Sequence, residues 1–246
     1  GQTLDVSIAE LTADKLGASA ETGISAQGSD SGLQNGDLII NNIAISPSLA
    51  DDDTASVANQ AASAIAKVAA INKDTESTGV TAYVNENVVS GSEMSGTALT
   101  GTLVLNGIEI SLQTTADTAS SRASVAQAIN AVSDQTGVTA VNTESDALGL
   151  SLVAEDGRNI SIGIDNVNGF STSSLATIGA ATGLALGGQY NASTDTGTFE
   201  TYEGGYTLVA NGDVPEIVIA GGDNTGNGNL ANAGLTEGSY ERGVAK

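Results

Sequence analysis

The chain has 246 residues, enough for one large domain or two small ones, and its formal net charge is −22. This charge disfavours nucleic acid and anionic membrane surfaces as partners, because both are bound through basic residues. The absence of His and Cys excludes Ser-His-Asp triads, cysteine nucleophiles and the usual zinc sites. Aromatic residues make up only 3% of the chain, so small cores of Val, Ile, Leu and Ala are expected. No apolar run approaches the roughly 20 residues of a transmembrane helix.

The first residues predict a strand followed by polar chain. Gln2–Ala9 alternates between apolar and polar residues, which is typical of a strand. Glu10–Gly17 is interpreted as a short turn, and Ala18–Gly32 as a polar linker. The sequence begins at Gly1 without Met and shows no signal peptide, so we expect a fragment of a longer protein.

A duplicated unit occupies the middle of the chain. Ser63–Ala82 returns as Ala126–Ala140, with Ala-Ile-Asn and Thr-Gly-Val-Thr-Ala repeated at one constant offset. Such duplication indicates a module used twice. The upstream segments Gly36–Ile45 and Gly101–Ile110 also match, at a larger offset, because the first copy carries extra residues around Ser48–Asp53.

Both copies predict the same order of elements. An Asn-Asn or Asn-Gly pair between alternating apolar runs predicts a hairpin, since Asn and Gly tolerate positive φ. A helix follows, capped by Asp53 or Thr54 in the first copy and by Ser120 or Ser121 in the second. A glycine then ends each helix in the left-handed conformation, and Val-Thr-Ala begins the next strand. The predicted apolar stripes of the two helices are Val57, Ala61, Ala64, Val68 and Ile71, and Val125, Ile129 and Val132.

The second copy is predicted to end in a further hairpin, Leu150–Ile164, which turns at Asp156-Gly157. The first copy has no such ending before the polar linker Ser90–Ala98, and a similar hairpin is predicted late in the chain, at Tyr206–Ala220. We therefore expect the late hairpin to complete the first copy, so that strands from Leu33–Ile45 and Tyr206–Ala220 share a sheet.

The remaining segments are predicted as connections. Val167–Gln189 is interpreted as a return segment with one short helix, Ser173–Thr182. Gly221–Gly228 is a predicted loop, and Leu230–Glu237 is expected to end the fold. The predicted fold class is α+β: two small β-rich modules, each hairpin–helix–strand–hairpin, with the second inserted in the first.

Two segments contain residue types that are common in ligand sites. Asp51–Asp53 lacks the spacing and the distal Glu of an EF-hand, and it is interpreted as a solvated loop and helix cap. Gly221–Asn229 is rich in Gly, but no Gly-Lys-Ser/Thr follows, so it is interpreted as a flexible loop. We therefore predict no catalytic, cofactor-binding or metal-binding residue, and no cofactor.

Asn and Tyr side chains bear on modification and on ligand stacking. Asn159-Ile-Ser161 and Asn191-Ala-Ser193 match the N-glycosylation pattern, which is weak evidence alone. The five Tyr residues, led by Tyr83 and Tyr206, are expected to fill thin cores and not to stack on a ligand.

The repeated Ala-Ile-Asn and Thr-Gly-Val-Thr-Ala pattern after an Asn-Gly hairpin resembles the hook-type IN motif of bacterial flagellins and hook-associated proteins. Ile71-Asn72 and Ile129-Asn130 are its two pairs in this sequence. Gln2–Gly17 resembles the segment that leaves the inner domain of a flagellin, and Asn229–Tyr240 the segment that leads back to it. The long terminal helices of a flagellin filament core have no counterpart here. The resemblance therefore implies the variable outer region of a flagellin.

This resemblance implies a domain division. Residues 1–32 would be the strand and linker that leave the inner filament domain. Residues 33–92 with 190–240 would form a discontinuous first outer domain, and residues 97–182 an inserted second outer domain.

The resemblance also implies a structural, extracellular role without catalysis, on the surface of a flagellar filament, where it would affect antigenicity and motility. The expected partners are other copies of the subunit, through inner domains outside this sequence, and possible O-linked glycans, with no nucleic acid and no membrane. One alternative is a hook-associated or filament-cap protein. Another is a carbohydrate-binding or adhesive module, which the absence of Trp disfavours. A third is a glycosidase, which would need two carboxylates about 5–10 Å apart in a cleft.

Overall fold

The structure is a computed structural model that describes residues 23–164, 170, 174–186, 198–212, 214–222 and 229–241. Its described segments contain fourteen strands and five α-helices. The strands are β1 Ile24–Ala26, β2 Ile39–Ile40, β3 Ile43–Ala44, β4 Val80–Val84, β5 Asn87–Val89, β6 Thr100–Leu105, β7 Ile108–Gln113, β8 Thr139–Asn142, β9 Leu150–Ala154, β10 Ile160–Ile164, β11 Thr198–Tyr202, β12 Tyr206–Ala210, β13 Glu216–Ala220 and β14 Gly238–Glu241. The helices are α1 Ala64–Asn72, α2 Thr75–Thr78, α3 Thr118–Asn130, α4 Ser133–Thr136 and α5 Leu175–Thr182.

The strands form four antiparallel sheets that come in two matching pairs. One pair has the strand orders β1-β12-β4 and β14-β13-β2-β3, and the other has β5-β9-β8 and β11-β10-β6-β7. Each strand of the first pair has a counterpart at the same place in the second. The fold is therefore α+β and rich in strands, which confirms the predicted class.

Two hydrophobic clusters lie under the two longest repeated helices. Ile71 of α1 packs in a cluster with the strands of the first pair of sheets, and Ile129 of α3 packs with those of the second pair. Both Ile residues are fully buried. The clusters consist mainly of Val, Ile, Leu and Ala, with Tyr206 in the first and Phe170 in the second, as the low aromatic content predicts.

Distant parts of the chain meet in the first pair of sheets. Ile219 pairs with Ile40, and Leu208 pairs with Ala82. The predicted sharing of a sheet between Leu33–Ile45 and Tyr206–Ala220 is thereby confirmed. Strand pairing across so many residues carries a loop-closure cost, which burial of the apolar strand faces offsets.

The two predicted hairpin turns are present, but the prediction of two later hairpins is wrong. Asn41-Asn42 joins β2 to β3 and Asn106-Gly107 joins β6 to β7, with positive φ at all four residues. By contrast, β9 and β10 do not pair with each other, and neither do β12 and β13. Each strand joins a different sheet. Five residues separate the strands in both cases, which is long for a hairpin turn and lets the chain cross from one sheet to the other.

The first helix begins later than predicted and the second one begins earlier. Ser63 caps α1, its hydroxyl accepting from the Ala66 N–H, so the expectation of Asp53 or Thr54 is wrong. Val57 therefore lies outside the helix and is 52% exposed. In the second copy the cap is Asp117, whose carboxylate accepts from the Ser120 N–H, and neither predicted serine caps α3.

The segments predicted as polar linkers contain ordered structure. Part of the Ala18–Gly32 linker forms β1, which pairs with β12. In the Ser90–Ala98 linker, Met94 is buried and its N–H donates to the Asp146 carbonyl oxygen (2.7 Å). These interpretations are wrong because polar composition does not prevent a backbone from pairing with an available strand edge or loop.

The remaining predictions fall near the ends of the chain. The helix expected at Ser173–Thr182 is present as α5, and β14 extends the fold beyond Leu230–Glu237. Gln2–Ala9, Glu10–Gly17 and most of the Gly221–Gly228 loop lie outside the described residues.

Candidate functional site

Of the two segments that were compared with ligand sites, the structure describes Asp51–Asp53 in full. In the part of the chain that the structure describes, no group of three or more carboxylate side chains is placed to hold a metal ion. Asp53 is buried, and its Oδ1 accepts from the N–H groups of Ala55 (2.8 Å) and Ser56 (3.0 Å). Asp53 thus belongs to a structured turn and does not cap α1, so the cap part of its interpretation is wrong, whereas Asp51 is exposed as a solvated loop residue should be.

The asparagines of the N-glycosylation patterns and the tyrosines differ in their exposure. Asn159 is 1% exposed and its side-chain nitrogen is hydrogen bonded, so the folded chain shields it from modification. Asn191 lies outside the described residues. Tyr206 is fully buried and donates to the Ala233 carbonyl oxygen (2.7 Å), as a core residue should. Tyr83 is 55% exposed, so its assignment to the core is wrong.

What the two copies do share is a set of asparagine contacts, beginning with the last residue of each long helix. The Asn72 side chain donates to the Ala82 carbonyl oxygen (3.0 Å) and accepts from the Ala82 N–H (2.8 Å). Asn130 makes the same two contacts with Ala140, at 3.0 and 2.7 Å. We call these two residues the helix asparagines. Each one satisfies both backbone polar groups of a single strand residue.

These contacts cover the edges of two sheets. Ala82 lies on β4 and Ala140 on β8, and both strands are outermost in their sheets. An edge strand presents unpaired N–H and C=O groups to any other chain. A carboxamide has one donor group and one acceptor in the same plane, like a peptide unit. Each helix asparagine therefore takes the place of one residue of a neighbouring strand.

A second asparagine in each copy joins three elements. Asn106 exchanges two bonds with Ser161, its N–H donating to the carbonyl oxygen (2.8 Å) and its Oδ1 accepting from the N–H (2.8 Å). Its Nδ2 donates to the Thr136 carbonyl oxygen (2.9 Å). We call Asn106 and its counterpart Asn41 the hairpin asparagines. Each ties a hairpin turn to a neighbouring strand and to the end of the helical segment.

The first copy repeats this pattern closely. Asn41 exchanges the equivalent pair of bonds with Val218, at 2.9 and 2.8 Å, and its Nδ2 donates to the Thr78 carbonyl oxygen (2.8 Å). Residues 41 and 106 have φ of 48° and 46°, a region that Asn tolerates better than other non-glycine residues.

Threonine and glycine complete the shared set. The Thr78 hydroxyl donates to the Asp74 carbonyl oxygen (3.0 Å) and accepts from the Val80 N–H (3.2 Å). The Thr136 hydroxyl bridges the equivalent backbone groups of its copy at 3.2 Å each. Gly79 and Gly137 follow with φ of 68° and 70°. The chain thereby reverses from helix to strand with its backbone groups satisfied.

The copies differ in the charged residues of their helices. Lys67 occupies the place that Val125 has in the second copy, and it is 1% exposed. Its Nζ donates to the Ser29 hydroxyl (2.9 Å) and carbonyl oxygen (3.2 Å). Burial lowers the pKa of the Lys67 ammonium to about 8, although the negative charges of Glu203 and Asp30 oppose this shift.

Arg122 is the buried cation of the second copy. It forms an ion pair with Asp146, and its Nε donates to the Asn142 side-chain oxygen (3.1 Å). The hydrogen bond from Arg122 is the main reason why the pKa of the exposed Asp146 carboxyl is lowered. Both buried cations thus tie a helix to a nearby loop.

The incoming and outgoing segments of the described chain lie side by side. The Gln27 N–H donates to the Gly234 carbonyl oxygen (3.0 Å), and the Ser29 hydroxyl donates to the Asn232 carbonyl oxygen (2.8 Å). Tyr240 lines the same shallow hollow as residues 23–25.

Residues 102–156 match the family model of the flagellin hook IN motif. This match supports a flagellin-related protein. The matched segment contains Asn106, Asn130 and Thr136, so the asparagine and threonine side chains described above for the second copy lie within it. It points to a structural rather than a catalytic protein of the flagellum. No curated protein matched the chain. Among the described residues, no helix is both long and apolar enough to span a bilayer.

The sequence predicts the turns at Asn41 and Asn106 but not the hydrogen bonds that join the side chains of these residues to other strands. The signal available was the recurrence of Asn at the first turn position in both copies, where Gly would satisfy φ alone. Likewise, nothing local indicated that the helix asparagines bond to a strand ten residues further on.

Proposed function

We propose that this chain is the surface-exposed outer region of a flagellar filament subunit. The observation that carries the proposal is the flagellin hook IN motif at residues 102–156. We further propose that the first copy is a second motif of the same kind. Its helix asparagine and hairpin asparagine make the same contacts as those of the matched segment.

We propose two outer domains, the second inserted in the first, as the sequence predicts. The paired strands support moving the boundaries. Asn87–Val89 pairs with β9, and Thr198–Tyr202 pairs with β10, so both go with the second copy. The first domain would then hold residues 24–84 with 206–241, and the second residues 87–202. The two copies would share the same order of elements. A hairpin is followed by a helix, a strand, and then two consecutive strands that join different sheets.

The arrangement suits a domain that another part of a subunit carries. The incoming and outgoing segments lie together at the hollow that Tyr240 lines, so one attachment point would hold the whole region. The polymerising contacts would then lie in inner domains outside this sequence. A net charge of −22 would keep neighbouring outer domains apart and hydrated at the filament surface. Exposed Ser and Thr side chains would be the acceptors of any O-linked glycans.

Immunogold electron microscopy of intact flagella tests this role directly. Antibodies raised against the folded chain should label the filament along its whole length. Labelling confined to the hook junction or the tip would instead indicate a hook-associated or cap protein. Absence of label from flagella, together with binding of the purified chain to a glycan array, would favour the carbohydrate-binding alternative.

The isolated chain should not assemble by itself. We expect it to be monomeric by light scattering at micromolar concentration and to form no filament, because like charges repel the copies unless salt screens them. In the parent subunit, deletion of residues 33–230 should leave assembly intact. Ordered filaments from the chain alone would contradict the proposal. Complete loss of assembly in a stably folded deletion variant would place the polymerising contacts in this region and would contradict it too.

A further inference from the structure

The first copy has an insert loop, Ser46–Asn59, that the second copy lacks in this form. The offset between the copies falls from 65 residues at Ile45 and Ile110 to 58 at Ile71 and Ile129, so the first copy has seven extra residues here. Insertions accumulate in surface loops because they cost little stability there. This loop, however, is largely tied down and makes specific contacts.

Side chains within the insert loop fix its conformation. Ser48 is buried, and its hydroxyl donates to the Ala61 carbonyl oxygen (2.5 Å). The Asp53 carboxylate accepts from the N–H groups of Ala55 and Ser56. Ser56 is itself buried, and these bonds fix the backbone that carries its hydroxyl.

The donor comes from the other copy. Residues 156–159, which we call the junction turn, connect β9 to β10. The Asn159 N–H donates to the Ser56 hydroxyl (2.9 Å), and the Asn159 Nδ2 donates to the carbonyl oxygens of Ala58 (3.0 Å) and Asn59 (3.1 Å). These three bonds link residues about a hundred positions apart. Because Asn159 is almost fully buried, water does not compete for them.

The two points where the chain crosses between the copies lie against the same turn. The Asn85 N–H donates to the Gly205 carbonyl oxygen (3.1 Å), which pairs the two crossings. The Asn87 Nδ2 donates to the carbonyl oxygens of Tyr202 (2.7 Å) and Arg158 (3.1 Å). One side chain therefore joins both crossings to the junction turn.

Packing at the junction turn is close. A Cβ at Gly157 would collide with the Val84 side chain and the Asn85 carbonyl oxygen. The φ of Gly157 is 73°, a conformation that favours glycine. The turn is thus shaped both by its backbone conformation and by the surface it meets.

We infer that the insert loop is a docking surface for the junction turn, and that this contact locks the two copies into one cooperative, rigid unit. Asn159 is the positioning residue of the contact. Domains joined only by chain crossings move relative to each other by default. Buried hydrogen bonds of fixed geometry oppose that motion, because their net contribution is lost when the copies separate. The inference rests on these contacts alone and holds whatever the chain does in a flagellum.

Asn159→Ala in the full chain tests the inference, with Asn130→Ala as a matched control. Both variants remove an asparagine that bonds to the backbone, but the Asn130 side chain bonds to Ala140 of its own copy. We expect wild type and Asn130→Ala to unfold in a single calorimetric transition, and Asn159→Ala to unfold in two. Amide exchange at Asn85 and at residue 159 should be at least about tenfold faster in Asn159→Ala than in wild type.

A second variant tests the same contact from its other side, in case Asn159→Ala does not fold. The insert loop is replaced by the shorter connection of the second copy, residues 111–117, which the same repeat already uses before a helix. It too should split the transition, since it lacks the Ser56 hydroxyl and the acceptors of Asn159. The inference is overturned if wild type already unfolds in two transitions. It is also overturned if Asn159→Ala keeps one transition with amide exchange within about twofold of wild type.

Discussion

Asn130→Ala isolates the contribution of a helix asparagine. The substitution removes two hydrogen bonds to Ala140, one to its carbonyl oxygen (3.0 Å) and one from its N–H (2.7 Å). It leaves the apolar packing of the neighbouring Ile129 unchanged, because the Asn130 side chain lies at the rim of the helix and is not part of the hydrophobic cluster. The measured change therefore reports the polar contact.

The expected loss follows from the surroundings of these bonds. A typical intramolecular hydrogen bond contributes about 0.5–1.5 kcal/mol net, so two contribute about 1–3 kcal/mol. Ala140 is buried but Asn130 is exposed, so in the variant water can reach the Ala140 N–H and carbonyl oxygen in part. The loss should therefore fall in the lower half of that range. Alanine also has a higher helix propensity than Asn, which offsets about 0.5 kcal/mol. We expect a net loss of about 0.5–1.5 kcal/mol in the free energy of unfolding.

Urea unfolding followed by circular dichroism measures this loss. Gln127→Ala is the control, because Gln127 is exposed on the same helix and its removal should change the free energy by no more than about 0.5 kcal/mol. Asn72→Ala should lose about as much as Asn130→Ala, since the first copy has the same contacts. If Asn130→Ala is no less stable than Gln127→Ala, the asparagine contact does not stabilise the fold and our reasoning is wrong.

Three further predictions follow from buried or constrained positions. Ile129→Ala should cost about 2–5 kcal/mol in a urea melt, and a loss below about 1 kcal/mol would mean that Ile129 is not a core residue. Lys67 has a folded-state pKa of about 8, lowered by burial from 10.5, so between these values the unfolded chain binds more protons. The free energy of unfolding should therefore rise with pH across that range, by at most about 3 kcal/mol. Lys67→Val, which installs the residue of the second copy, should abolish the rise; a rise that persists would assign it to another group. Gly137→Ala should cost at least about 1 kcal/mol by thermal melting, because its φ is 70° and the new Cβ would meet the Arg158 guanidinium. A neutral result would show that the turn relaxes.

Features set by neighbouring residues were predictable from the sequence. The turns at Asn41-Asn42 and Asn106-Gly107 follow from residue types that adopt positive φ. Ile71 and Ile129 are buried, as their spacing on a helix predicts. The partner of the late strands was also predictable, because the repeat made the missing strands of the first copy visible.

Features set by distant residues were not predictable. Whether β12 and β13 form a hairpin depends on which other strands compete for their edges, and β4 and β2 win that competition. The start of α1 was missed for a similar reason. Val57 continues the apolar period, but the insert loop occupies that part of the chain, and the helix begins only after Ser63. Periodicity indicates a face and does not show which residues another part of the chain has already engaged.

The helix asparagine contacts and the sheet edges together explain why Ile and Asn are adjacent in each copy. The Ile side chain needs to face the hydrophobic cluster, and the next residue on a helix points about 100° away, toward the rim. At the rim lies the outermost strand, with one N–H and one C=O that no strand pairs. The carboxamides of Asn and Gln carry a donor and an acceptor side by side, as a peptide unit does, and Asn reaches this strand with the shorter side chain. The pair therefore anchors the helix with one residue and covers the edge of the sheet with the next.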